Sequence, residues 1–270
     1  MPLEDLMNNI RIDNWKLLLE FLEPLCNKQH TYVGSPIQYR GHSCKDWKLD
    51  SSLFRIVRGD NISECKVEFY EKEAQQEFVS QAHLLDEKIA YNNSMNSIAV
   101  NVDMQHYSCP TRLVDWSGSP YIALYFAVVE NIQHDGALYV WDASFYQANI
   151  KKLYPEFNGF ESSTFLNFKK FDVIQLVFAT KKNERLVRQQ GCFSISNNIL
   201  KSHCDLISEI GKKVNKESGL FKLEIPKELK MEFLSRLNMM NISSNSLFPG
   251  FDGLGRSIKE SLLLRRWHKS

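Results

Sequence analysis

Apolar residues recur at three- and four-residue spacings over 15–25, after Asp13 and Asn14, which predicts a short amphipathic helix closed by Pro24. A longer helical pattern rich in Ala, Gln and Glu covers 63–86 and predicts a helix packed on the surface. Between them, 32–39 reads as an extended run whose end carries Arg40, before Gly41. The stretch 120–129 is apolar nearly all round, and Ser119 followed by Pro120 supplies a cap and a first helical residue, so a buried helix is expected at 119–130. Aromatic and β-branched residues dominate 136–143, which predicts a core strand. Further strands are predicted at 173–179, 191–195 and 220–225, then a helix at 227–239 and a terminal amphipathic helix beyond the Pro249–Gly250 turn. The segment 92–102 reads as a polar connection, and 144–170 shows no clean period. The order of elements predicts an α+β fold: a single compact domain with a central mixed or antiparallel sheet, the buried helix and flanking amphipathic helices. Residues 1–30 read as an N-terminal helical extension and 258–270 as a C-terminal basic helix or tail.

Composition narrows the class without changing that outline. With 43% apolar and 24% charged residues over 270 positions, the chain is long enough for a sizeable core and excludes collagenous and disordered classes. A formal net charge of +1 gives no global field to recruit a polyanion, but the charge is unevenly spread. The last 90 residues hold 17 basic against 9 acidic side chains, a balance of +8, which leaves −7 on the first 180. The six cysteines show no CxxC spacing and the seven histidines no HExxH, so no metal site is predicted from local motifs. The N-terminus is polar and acidic and no apolar stretch approaches a membrane span, so a cytoplasmic protein with reduced thiols and no membrane partner is expected.

Three clusters carry candidate chemistry. Tyr39-Arg40-Gly41-His42 places a guanidinium fork, suited to phosphate or carboxylate, beside a residue that lets backbone come close. Gln105-His106-Tyr107, Pro110-Thr111-Arg112-Leu113 and Asp115-Trp116-Ser117 crowd polar and aromatic groups into 13 positions before the buried helix. Such a loop offers an aromatic face for a planar ring and an anion site, with His106 the best acid–base candidate; Asp115 can equally hold Arg112 in an ion pair, with Trp116 plugging the core. In Arg185 to Phe193, glutamines that include Gln190 face either a ligand's hydroxyls or buried backbone. Cys109 and Cys192 have no histidine at defined geometry to activate them.

In that order these motifs, with Ala123-Leu124-Tyr125-Phe126-Ala127, Arg188-Gln189-Gln190-Gly191 and Leu247-Phe248-Pro249, resemble the FRG domain family from about Tyr39 to Leu254, which implies a domain at 31–257. The resemblance implies an intracellular bacterial or phage protein of toxin or phage-defence context. The layout is also similar to the element order of ADP-ribosyltransferases, which implies NAD as substrate. On that likeness Arg40 holds the diphosphate or ribose, His106 and Tyr107 flank the nicotinamide, Ser117 orients a ribose and Gln190 fills the late polar position. A glutamate usually stands there to steady an oxocarbenium-like transition state, so Asp115 or Glu184 would have to replace it. The expected site is a nucleotide-sized cleft of Arg40, His106, Tyr107, Arg112, Asp115 and Gln190, with Trp116 and Ser117 beside the ligand. Three readings stay open: an ADP-ribosyltransferase-like enzyme, a non-catalytic module recognising a nucleotide or nucleic-acid phosphate, and an internal polar network.

Overall fold

A computed structural model of the chain describes residues 10–26, 37–59, 62–85, 98–155, 165, 170–179, 183–214 and 219–267. In chain order the elements are β1 (Ile10–Arg11), α1 (Trp15–Cys26), β2 (Ile37–His42), α2 (Ser52–Val57), α3 (Glu64–Leu85) and α4 (Ile98–His106). Then come β3 (Leu113–Ser117), α5 (Pro120–Val128), β4 (Gly136–Asp142), α6 (Ala143–Leu153), β5 (Ile174–Val177) and α7 (Glu184–Arg188). The last are β6 (Gly191–Ser196), α8 (His203–Lys213), β7 (Leu220–Ile225), α9 (Lys227–Met239), α10 (Ser244–Leu247) and α11 (Gly250–Trp267). The strands form one mixed sheet in the order β1-β7-β4-β2-β3-β6-β5, parallel only between β1 and β7. This is the expected α+β architecture.

Helices cover both faces, which is why β4 reads as an unbroken apolar run. Leu138 and Val140 point into a core with α1, α5 and α9, while Ala137, Tyr139 and Trp141 point into a second core with α6 and α8. Ser119 caps α5 by accepting from Ile122 N, and α5 lies against the sheet at glycines. A Cβ on Gly41 would stand 1.8 Å from Ala123 O and 2.6 Å from Ala127 N, and one on Gly136 would stand 2.4 Å from Ala127 O. Two alanines one helical turn apart thus let α5 sit directly on β2 and on the start of β4.

Several boundaries differ from the sequence reading. Arg40 lies inside β2, because Gly41 and His42 still pair with Leu138 and Ala137; residues 32–36 lie outside the described residues. Residues 98–106 form a helix instead of a connection: Val100, Val102 and Met104 are buried, and Asn101 is bonded to Gln75 of α3. Asp115-Trp116-Ser117 belong to a strand instead of a loop, since β3 pairs with β6 over five residues. Within 144–170, α6 occupies the first part, capped by Asp142. The terminal helix begins at Gly250, so 258 falls inside it, and α1 and β1 are built into the core and sheet instead of being appended to them. Pro24 lies within the last turn of α1. All six cysteines are free.

Two buried histidines make stability depend on acidity. Burial, followed by the charge of Arg40, pushes both His42 and His203 down to about 3. Both are therefore neutral in the folded protein, while an unfolded histidine titrates near 6.5. Their stabilising contribution is complete above about pH 6.5 and is lost as pH falls toward 3, at up to ~1.4 kcal/mol per pH unit for each histidine. Urea titrations between pH 7 and 4 should show this fall, and His203→Gln should flatten it; equal slopes in both proteins would contradict the assignment.

Candidate active site

The sheet is weakly joined in its middle. β2 pairs with β4 over six residues and β3 with β6 over five, yet β2 and β3 share a single described pair, Tyr39 opposite Ser117. Beyond it the two strands diverge, and a cleft of about 690 Å³ opens there, lined by β2, β3 and β6 and by the segments around Trp47, Arg55, His106 and Arg185. That volume suits a nucleotide-sized ligand.

Arg40 spans the split. Its Nη1 donates to the Asp115 carbonyl at 2.6 Å and to Asp115 Oδ2 at 3.2 Å, so a guanidinium takes the place of ladder pairing that has ended. Its Nε donates to His42 Nε2 at 2.9 Å, which leaves Nδ1 as the protonated ring nitrogen, donating to Trp47 O at 3.1 Å. The depressed pKa of His42 keeps that tautomer in place, so His42 aims Arg40 without charge of its own.

On the other side of the split, Gln105 Nε2 donates to both oxygens of Asp115, at 3.2 and 3.0 Å. Thr111 Oγ1 donates to Gln105 Oε1 at 2.5 Å and accepts from Leu113 N, which fixes the amide's orientation. The four sequence motifs therefore meet in one network running His42–Arg40–Asp115–Gln105–Thr111. Asp115 remains about half exposed at the cleft, with 52% of its side chain accessible.

His106, at the end of α4, also lines the cleft, and partial burial together with Arg185 lowers its pKa. Burial pushes the Cys109 thiol up, so it stands in the wall as a neutral thiol. Arg55 lies near Arg40 and donates to Asp50 O at 2.7 Å, with the Asp50 and Asp115 carboxylates acting on it from beyond ion-pair distance, while Arg185 stacks over Phe248 at 5.1 Å. Trp47 exposes 51% of its surface on the wall, its carbonyl held by His42 and by Tyr139 Oη.

Of the eight residues expected at the site, Arg40, His106 and Asp115 bring functional atoms to the cleft. Trp116 and Ser117 line it but spend their polar atoms internally. Trp116 Nε1 donates to Ser194 Oγ, which is bonded to His203, and Ser117 Oγ donates to Gln189 O and accepts from Ser119 N. Arg112 lies outside the cleft: it is buried in a two-pronged pair with Glu71 and donates a third bond to Ser196 O. Gln190 is also outside, ending α7 at a φ of 49° with its carbonyl bonded to Gly118 N. Tyr107 lies outside too, exposed and packed against His106 and Phe78. Sequence reasoning gave no role to Trp47, Asp50 or Arg55, and placed His42 and Gln105 in its clusters without a function of their own; a tryptophan in the polar run His42 to Asp50 was the available signal. Among the described residues no group of three or more His, Cys, Asp or Glu is disposed to hold a metal ion.

No helix among the described residues is long and apolar enough to cross a membrane. Comparison with curated proteins and with solved structures found no match. The family model that does match is that of the FRG domain, over residues 35–136, from β2 to the start of β4, a stretch that includes Arg40, Gln105, His106, Thr111 and Asp115.

Proposed function

We propose that the cleft binds a nucleoside diphosphate and acts on NAD as an ADP-ribosyltransferase-like enzyme. The observation that carries this reading is the convergence of Arg40, His106 and Asp115, with Arg55 and Trp47, on one nucleotide-sized cleft. Arg40 and Arg55 supply forked donors for the diphosphate, and Trp47 offers a face for a planar ring. NAD supplies a glycosidic C–N bond whose cleavage releases nicotinamide and leaves positive charge on the ribose. The Asp115 carboxylate faces that charge in the role expected of the missing glutamate. His106, held toward its neutral form, accepts the proton lost by the attacking acceptor or water.

Purified protein incubated with NAD should release nicotinamide, and Arg40→Ala should lower kcat/KM by about 10²–10³ while the fold persists. Asp115 already accepts bonds from Arg40 and Gln105, an arrangement that also suits recognition without turnover. Nucleotide binding that depends on Arg40, with no nicotinamide released from the parent protein under any acceptor condition, would assign the cleft to that second reading.

A further inference from the structure

The terminal helix α11 carries an apolar stripe on the side away from the domain. Its inward residues include Gly253, Ser257, Glu260 and Leu264, and polar bonds fix it there. Glu260 accepts from Tyr125 Oη at 2.9 Å, from Ser244 N at 3.0 Å, from Ser244 Oγ at 2.6 Å and from Asn238 Nδ2. Phe251, Leu254, Ile258 and Leu262 recur at three- and four-residue spacings and so share the opposite side, where they are 90%, 48%, 56% and 61% exposed. A helix facing water shows the reverse arrangement, so the stripe calls for a cover. Gly255 adds a second signal. Nothing lies within 4 Å of its Cβ position, so its own fold gives no reason for a residue that weakens a helix, whereas a Cβ on Gly253 would stand 2.1 Å from Phe248 O. The space at Gly255 is open to a side chain from outside.

The stripe is complementary to itself. Leu254 and Leu262 lie four residues to either side of Ile258, so the pattern reads the same in both directions. Charge follows that symmetry. Asp252 stands in the first turn with only Oδ1 engaged, by Arg256 at 2.8 Å, and Arg265 and Arg266 stand in the last turn with no ion pair among the described residues. Helical geometry sets Asp252, Gly255 and Arg266 along one flank of the stripe. In a two-fold antiparallel pair of helices each flank meets its own copy running the other way, which brings Asp252 to Arg266 of the second copy and Gly255 to its Leu262. We propose that α11 is the interface of a two-fold dimer, packed antiparallel against α11 of a second copy of this chain with Ile258 at the axis. The dimer does not depend on what the cleft binds.

Sedimentation velocity of the intact chain from about 1 to 500 μM should show a monomer–dimer equilibrium, in the micromolar range because a helix face of about three turns is smaller than a standard interface. Ile258→Glu alters an exposed position outside both cores, and that variant should stay monomeric throughout with an unchanged far-UV circular dichroism spectrum. Asp252→Arg and Arg266→Asp should each weaken self-association about tenfold, since either change sets like charges against each other twice in the dimer. Mixed in equal amounts, the two variants should associate as tightly as the parent, because every altered position then faces the opposite charge. Parallel pairing, or contact through another surface, gives no such rescue. A parent chain that is monomeric at every concentration overturns the proposal, as does a dimer that Ile258→Glu leaves intact or a mixture that associates no better than its components. Binding of a monomeric parent to phosphatidylserine-containing vesicles, lost in Ile258→Glu, would overturn it in favour of a membrane surface.

Discussion

Gly41→Ala is expected to cost the protein its cooperative fold, or at least more than about 4 kcal/mol of unfolding free energy. The new methyl would meet Ala123 O at 1.8 Å and Ala127 N at 2.6 Å, both backbone atoms that no rotamer change can move aside. Relief requires α5 to lift from β2, and α5 is buried on nearly every side, so the strain spreads through the core it shares with α1 and α9. Gly255→Ala in α11 is the matched control. Nothing lies within 4 Å of its Cβ position, and in a helix this change should stabilise by about 0.5–1 kcal/mol. Urea denaturation of the two variants measures both effects; a Gly41→Ala protein with near-parental stability would contradict the packing described for α5.

The second large effect is expected where the sequence placed a ligand-binding arginine. Glu71→Ala should destabilise the protein by about 3–5 kcal/mol, because it leaves the Arg112 guanidinium buried without its partner. Replacing both groups by apolar residues, as in Glu71→Leu with Arg112→Met, should recover most of that loss, since neither charge is then stranded. In the folded double variant, ADP affinity should match the parent, because Arg112 lies outside the cleft. A tenfold loss of affinity with stability restored would return Arg112 to the binding site.

What sequence periodicity could and could not reveal follows from where each element finds its partners. β7 and α9 were legible to the residue, because alternating burial along one and the pattern that follows Pro226 in the other are local signals. α4 was not legible: its buried Asn101 is satisfied by Gln75 from a helix far back in the chain, so a polar residue sits where the pattern demands an apolar one. β3 read as a loop because Asp115 and Ser117 favour turns, and only pairing with β6, some way further along the chain, makes the segment extended. The density of polar motif residues located the site, but not which polar atoms reach it. Arg112, Trp116 and Ser117 are each satisfied by groups distant in sequence, and Trp47 gains meaning only from its exposure on the cleft wall in three dimensions.

The Arg40 bridge bears on the entropy of binding. Its bonds to His42 and Asp115 use Nε and Nη1, and Nη2 has no partner among the described residues. An anion can therefore dock on the outer edge of the guanidinium while the inner edge keeps the two halves of the sheet together. The side chain is already immobilised before any ligand arrives, so the rotamer freedom a long arginine normally surrenders on binding, about 0.5–1.5 kcal/mol, has been lost during folding. The divided sheet thus makes Arg40 a preorganised anion receptor that does not have to release its structural bonds to work.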